Sequence, residues 1–470
     1  MEFRLITESP DNAEPGRTIQ VNGRQWYLTK PPLVDLEHPE IPNFTCISYV
    51  WGLAREPNPF HPGELMSSNT IPALSSAITH ATTSSFWIDA LCVPPAIPVK
   101  HHTLGSMGYI YSAASEVIIT LPPGLFPVLN EMEGSDRLSE KVLLSLEQDE
   151  WVRSVWTYQE VVNAKAVYFV GSSTKIDCSH FLNCLGHSLM LYREAHNLSA
   201  FDLPKQLPKL NALEELLVDW MLGGYTERSA LRAMSQFQYR YNHDPRNYFY
   251  AVVGTMVKGP WPWNIEMGIE ELAEEFMDVC EKKNDYSFIY SSNPPDLENP
   301  NGRYWRPVAG LLQAVLAWHS WGEGQRGRHD EKGFWLEKMI SLRPLNELGD
   351  KGSFFLRQWL NVVHSDTLSR NNDDIAEQLL KDLRKMAFSG SDQFLWTTHG
   401  IFFPQTTLAQ DAEIEILVAA EVRWVFGAPG LARATRGERI EFAPGVFVGD
   451  VLEDLATDIL ITRTVPDNER

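Results

Sequence analysis

The sequence predicts an α/β protein: a parallel sheet flanked by helices, followed by a mostly helical region and a small C-terminal β element. Three observations carry this. In the first third, short apolar runs rich in β-branched and aromatic residues alternate with segments of helical pattern, as expected of buried strands joined by helical crossovers. After about residue 172 the apolar periodicity becomes that of amphipathic helices. From about residue 413 the runs turn β-like again and are split by Gly and Pro.

The predicted strands are 44–50 (FTCISYV), 86–91 (FWIDAL), 116–121 (EVIITL) and 166–170 (AVYFV). Between them, 71–81, 102–113 and 150–163 read as helices, and the Pro-rich stretches 55–62 and 122–127 read as surface loops. Further on, Ile269, Leu272, Phe276, Val279 and Cys280 share one helical face, with acidic residues at the start and lysines at the end, as the helix dipole favours. Ile375, Leu379, Leu380, Leu383 and Met386 form a second stripe. Breakers at 257–264, 291–303 and 321–333 separate these elements. The predicted organisation is a sheet domain over 1–172, a helical region over 173–310 and a mixed α and β extension over 311–470.

Composition narrows the function. Of 470 residues, 40 are basic and 61 acidic, a net charge of −21. A nucleic-acid binder needs a basic face to displace counterions, and attachment to anionic lipid needs clustered Lys and Arg; neither is visible. Hydrophobic residues make up 44 %, enough for a sizeable core, so global disorder is excluded. The five cysteines show no C-x-x-C spacing, which argues against a disulfide framework or a structural zinc site. The N-terminus lacks the pattern of a signal peptide, and no apolar stretch approaches the ~20 residues that span a bilayer. The expectation is a cytoplasmic protein with a small-molecule substrate, no nucleic-acid partner and no membrane insertion. There is no Gly-rich phosphate loop, no H-E-x-x-H, no G-x-S-x-G and no metal-ligand spacing, so no cofactor and no metal are expected.

Four segments stand out together: CISYVWG at 46–52, FWIDALCVPP at 86–95, MGYIYSAASEVIITL at 107–121 and WVRSVWTYQEVVNAKAVYFVG at 151–171. In order and spacing they resemble the fungal heterokaryon-incompatibility (HET) domain family. YRYNHDPRNYFYAVVG at 239–254 resembles that family's DPRD-x-x-Y-A-L-x-G element, and NGRYWRPVAG at 301–310 its SWVPDW element, so the resemblance covers about the first 310 residues. Two departures stand out. Val93, Pro94 and Pro95 replace the family's INQ, and Asn247 replaces the Asp after DPR.

The resemblance implies a TIR-like, flavodoxin-like sheet. In enzymatic TIR proteins a helical W-x-x-x-E carries the glutamate used for nicotinamide cleavage. Trp156 and Glu160 occupy that pattern, and their four-residue separation puts both on one helix face. Glu160 and Asp89 are the candidate catalytic residues, with Tyr49, Trp51 and Trp156 as candidate substrate contacts. Asp89, Tyr49 and Trp51 are chosen because open α/β sheets bind ligands at the carboxyl ends of their strands. Cys92 reads as a buried structural thiol, and His101 and His102 as surface residues of a helix.

Two functions fit the resemblance. One is a cofactor-independent cyclase, since the family includes a norbornene-forming Diels–Alderase of fungal terpenoid biosynthesis. Such an enzyme needs a shaped apolar pocket that holds its reacting groups together. The altered INQ segment and the absence of fused repeats favour it. The other is an incompatibility or cell-death effector with TIR-like NAD-cleaving or signalling activity, favoured by Trp156 and Glu160.

Overall fold

The computed structural model describes residues 2–11, 13–29, 42–199, 201–224, 228–238, 240, 244–258, 266–297, 303–363, 371–437 and 439–463. The chain divides into two units. The first comprises 1–196, 207–225 and 239–267, and the second 197–206, 226–238 and 268–470.

The first unit opens with antiparallel strands β1 (Ile6–Thr7), β2 (Ala13–Val21) and β3 (Arg24–Thr29). β2 and β3 join through Asn22 and Gly23, with φ of 53° and 72°, the two left-handed residues of a type I′ hairpin turn. The expected strands begin only at residue 44, so this hairpin adds to the predicted sheet. Next come β4 (Thr45–Tyr49) and the two-stranded ribbon β5 (Arg55–Pro57) and β6 (Leu65–Ser67). β7 (Ser85–Trp87), β8 (Glu116–Thr120), β9 (Val167–Val170) and β10 (Lys175–Asp177) complete an eight-stranded sheet of order β10-β9-β8-β4-β7-β1-β3-β2.

Among the described residues only β4, β7, β8 and β9 run parallel. Their spatial order, β7-β4-β8-β9, places the second strand of the run beside the first and the third on the first's other side. Every residue of β4, β7 and β8 is buried, so these strands are covered on both faces, as their unbroken apolar runs require. The predicted parallel sheet is therefore a mixed one, with antiparallel strands on both flanks of a parallel centre.

Helices make the crossovers. α1 (Thr70–His80) packs on β4, β8 and β9. The predicted strand over 86–91 stops at Trp87, because Asp89–Cys92 turns into a short helix, α2. The single helix expected over 102–113 is two, α3 (Ile97–Gly105) and α4 (Met107–Ala113), broken at Ser106. α5 (Phe126–Gly134) and α6 (Glu140–Glu147) follow. The helix expected over 150–163 is also two, α7 (Glu150–Arg153) and α8 (Trp156–Val161).

The second break has a tertiary cause. Arg240, 7 % exposed, donates from Nη1 to the Val152 carbonyl at 3.4 Å, the Ser154 carbonyl at 3.2 Å and Thr157 Oγ1 at 3.0 Å. Its Nη2 reaches the Ala212 carbonyl at 3.1 Å. The guanidinium takes the place of helical N–H donors at the kink, satisfying carbonyls that would otherwise be buried and unpaired.

The predicted helical region is present as α9 (Cys178–Ala195), α10 (Leu203–Gln206), α11 (Pro208–Leu222), α12 (Ala230–Phe237), α13 (Arg246–Met256) and α14 (Ile269–Lys282). α4 and α13 touch backbone to backbone: a Cβ on Gly108 would lie 2.0 Å from the Gly254 carbonyl oxygen. Residues 259–264 of the predicted breaker and 301–302 of the NGRYWRPVAG segment lie outside the described residues.

In the second unit, Arg306 is buried and ion-paired to Glu274, Asp278 and Glu281 of α14. α15 (Asp350–Val363) precedes α16 (Asn372–Lys385), whose Asn371 cap accepts from the Asp374 N–H at 2.9 Å and whose predicted stripe is buried. The C-terminal β element is not small. β11 (Gly327–Asp330), β12 (Gly333–Leu342), β13 (Leu395–Trp396), β14 (Gly400–Pro404), β15 (Glu413–Ala419), β16 (Gly427–Arg436), β17 (Arg439–Gly449) and β18 (Thr457–Arg463) form an antiparallel sheet. Its core includes Phe402, Ile416, Val418 and Phe447.

In the longest pair, β17 overlaps the β-like runs expected after residue 413, whereas β16 reads as loop because Gly427, Pro429 and Gly430 interrupt it. The glycines are needed for close strand approach: a Cβ on Gly427 would stand 1.9 Å from the Phe447 carbonyl oxygen.

Candidate functional site at the strand ends

The carboxyl ends of β4 and β7 bring Tyr49, Trp51 and Asp89 together. Asp89 is the first residue of α2, and its carboxyl is held from three sides. Oδ1 accepts from the Ala90 N–H at 2.6 Å and the Tyr49 hydroxyl at 3.1 Å, and Oδ2 accepts from the Trp51 indole N–H at 2.8 Å. The Tyr49 hydroxyl also bonds Thr70 Oγ1 at 3.0 Å. Burial raises the Asp89 carboxyl above the usual range, opposed by those three donors. Burial, then the Asp89 charge, pushes the Tyr49 phenol well up. Trp51 is 40 % exposed, so its indole forms the outer wall of the group.

Behind this lies a second, deeper carboxyl. The Trp151 indole N–H donates to Ser48 Oγ at 2.7 Å, and Ser48 Oγ donates to Glu160 Oε2 at 2.5 Å. Asp149, which accepts from the Trp151 N–H at 2.8 Å, caps α7 and sets the indole's position. Glu160 is 8 % exposed, and its Oε1 has no hydrogen bond among the described residues. Burial pushes its carboxyl up to about 8, opposed by the Ser48 bond and reinforced by the Asp89 charge. Near neutral pH Glu160 is thus largely protonated. Two carboxyls in unlike surroundings are what acid–base division of labour requires.

Of the candidate residues, Tyr49, Trp51 and Asp89 form one hydrogen-bonded group, and Glu160 lies close enough to feel the Asp89 charge. Trp156 lies one turn before Glu160, half-buried, with its backbone N–H directed to Ser154 Oγ at 3.4 Å. The tryptophan wired toward Glu160 is Trp151. Ser48, Thr70 and Trp151 were not singled out from sequence. Ser48 carried a readable signal, since a hydroxyl in the middle of a fully buried strand must find a partner.

Cys92 is buried, its thiol pushed up to about 12, where it is unreactive. Arg153 pairs with Glu150 at 3.4 Å. Among the described residues no group of three or more His, Cys, Asp or Glu side chains could hold a metal ion, and no helix is long and apolar enough to cross a membrane.

Three of the four parallel strands, β4, β7 and β8, and the group at Tyr49, Trp51 and Asp89 fall within a family match. Residues 44–125 match the family described as heterokaryon incompatibility protein (HET). Ser48, Tyr49, Trp51 and Asp89 lie within the matched residues; Trp151, Trp156 and Glu160 lie beyond them. No curated protein and no solved structure matches the chain. Residues 44–125, which supply β4, α1, β7 and β8 and the outer carboxyl of the strand-end group, are thus the stretch of this chain that is similar to the HET family.

Proposed function

We propose that this protein is of the heterokaryon-incompatibility type and that its first unit is a TIR-like hydrolase cleaving the N-glycosidic bond of a nicotinamide dinucleotide. The order of the four parallel strands supports the flavodoxin-like part of this reading, because it puts a topological switch point between β4 and β8. The observation that carries the chemistry is Glu160. One oxygen is fixed by Ser48 and the other is free, in a carboxyl that stays protonated near pH 7.

The free oxygen of Glu160 binds a ribose hydroxyl and fixes the sugar. The Asp89 carboxylate faces the positive charge that develops at C1′ as the bond to nicotinamide breaks. Nicotinamide leaves with the bonding electron pair, water adds to C1′, and the water's proton passes to Asp89. The products are ADP-ribose, nicotinamide and one proton. A cycloaddition catalyst calls for an apolar enclosure, whereas Asp89 and Glu160 are surrounded by hydroxyl and indole N–H donors. That polarity favours hydrolysis over the cyclase reading.

The test is to incubate the purified full chain with NAD and follow nicotinamide by chromatography. Release by the wild type that is lost in Glu160→Ala and in Asp89→Asn is expected. No release by the wild type, or equal release by all three proteins, overturns the proposal.

A further inference from the structure

We infer that Arg55 is the phosphate-binding residue of the strand-end site, so that the ligand spans Trp51 with a cationic ring toward Asp89 and a pyrophosphate on Arg55. The inference rests on the nicotinamide dinucleotide reading above and assigns a residue to the substrate's second half.

Arg55 is exposed yet held. Its Nη1 donates to the carbonyls of Gly52 at 2.8 Å, Ala54 at 3.0 Å and Trp51 at 3.5 Å, and its guanidinium carbon lies 5.4 Å from the Trp51 ring centroid. The loop that supplies those carbonyls is fixed in turn. Gly52 has a left-handed φ of 59°; Asn69 Nδ2 donates to the Val50 carbonyl at 2.8 Å, and Ser67 Oγ donates to the Trp51 carbonyl. A guanidinium placed in this way has little rotamer freedom left to lose on binding.

All of its described contacts use Nη1 and the ring face. Among the described residues no carboxylate lies within ion-pair distance of Arg55, and its Nε and Nη2 have no acceptor. In a chain with a net charge of −21, an immobilised arginine with no carboxylate partner among the described residues, at the start of β5 and held on the loop that follows the switch-point strand β4, is a site for an anion. The same indole, with Arg55 over its ring, bonds Asp89 through its Nε1 edge. A ligand lying across Trp51 therefore meets a carboxyl at one end and a guanidinium at the other. An oxidised nicotinamide dinucleotide carries the matching charges, a cationic pyridinium and an anionic pyrophosphate.

The experiment measures binding of ADP-ribose, adenosine and inorganic pyrophosphate by calorimetry to the wild-type chain and to Arg55→Gln. NAD turnover is followed in parallel. ADP-ribose is expected to bind the variant about ten- to a hundredfold more weakly, the range for losing a hydrogen bond to a charged group, with adenosine unaffected. Equal ADP-ribose binding by the two proteins, or none by the wild type, overturns the assignment. So does pyrophosphate binding as tightly as ADP-ribose, which would mark an unspecific anion site. Loss of ADP-ribose binding in Arg55→Gln, with no nicotinamide release by the wild type, refutes the hydrolase but leaves Arg55 as the phosphate contact. Nicotinamide release with an unchanged KM in Arg55→Gln does the reverse.

Discussion

Replacing Glu160 by Gln tests whether the deeper carboxyl is as isolated from water as its surroundings imply. In the folded chain it titrates at about 8 against an ordinary value of 4.5. Between these two values the unfolded chain has lost the proton and the folded chain still holds it. Stability is therefore fully present below pH 4.5 and is lost as pH rises through 8. The total is the displacement multiplied by about 1.4 kcal/mol per pH unit, close to 5 kcal/mol, of which about 3 kcal/mol is gone by pH 7. Gln keeps an acceptor for Ser48 but has no proton to release, so its own cost is the same at every pH. Urea unfolding of both proteins, followed by tryptophan fluorescence at pH 4, 5.5, 7 and 8.5, separates the effects. The chain has two units, and the transition that responds to the substitution belongs to the first. Relative to wild type, Glu160→Gln should gain about 3 kcal/mol between pH 4 and pH 7 and somewhat more by pH 8.5. Parallel pH curves for the two proteins would falsify a buried, protonated Glu160.

Three further substitutions probe the same unit. Ser48→Ala leaves the Trp151 indole N–H buried without an acceptor and removes the donor that lowers Glu160. It should cost about 1–3 kcal/mol and move the Glu160 titration above its wild-type position, read by carbon NMR of the carboxyl. Arg240→Met strips the Val152, Ser154 and Ala212 carbonyls of their donor; a loss of about 3 kcal/mol or more, with the near-ultraviolet signal of Trp151 altered, is expected, and an unchanged melting profile would count against the clamp. Gly108→Ala drives a methyl into the Gly254 carbonyl, so α4 and α13 must separate, at about 1–3 kcal/mol; thermal unfolding that matches wild type would show that the helices do not touch.

The parallel strands were legible because burial on both faces leaves a continuous run of β-branched and aromatic residues, as in Val117, Ile118 and Ile119 of β8. The breaks were not. Nothing local distinguishes Ser154 from a helical serine, since the group that stabilises the kink is Arg240, more than eighty residues later in the chain. In 86–91, Ile88 and Leu91 continue the apolar pattern, but the backbone turns at Ile88 into the short helix Asp89–Cys92. β16 was hidden for the opposite reason: the residues that allow its close pairing, Gly427 and Gly430, are those that mark loops elsewhere. In the site, strand position alone pointed to Tyr49, Trp51 and Asp89. The segment W-V-R-S-V-W offers two tryptophans, and only the kink between α7 and α8 decides that Trp151 faces Ser48.

The strand-end group and the helices behind it come from two parts of the chain, one inside the family match and one beyond it. The HET match supplies the mouth of the site, with Trp51, Arg55 and Asp89, and stops before the helices that supply Trp151 and Glu160. The direct hydrogen-bonded link between the two parts runs through Ser48, which accepts from Trp151 and donates to Glu160. A hydroxyl that both accepts and donates fixes a carboxyl more tightly than an apolar neighbour of the same size would. The desolvation that keeps Glu160 protonated works against stability at neutral pH. A buried carboxyl carried at that cost, with one oxygen bonded to nothing among the described residues, is a costly way to build a core, and on the proposed reading it holds a hydroxyl of a bound sugar. On the proposed hydrolase reading, this asymmetry gives the pair Ser48 and Glu160 its role, and the Ser48 bond ties the unmatched helices to the strand ends of the matched residues.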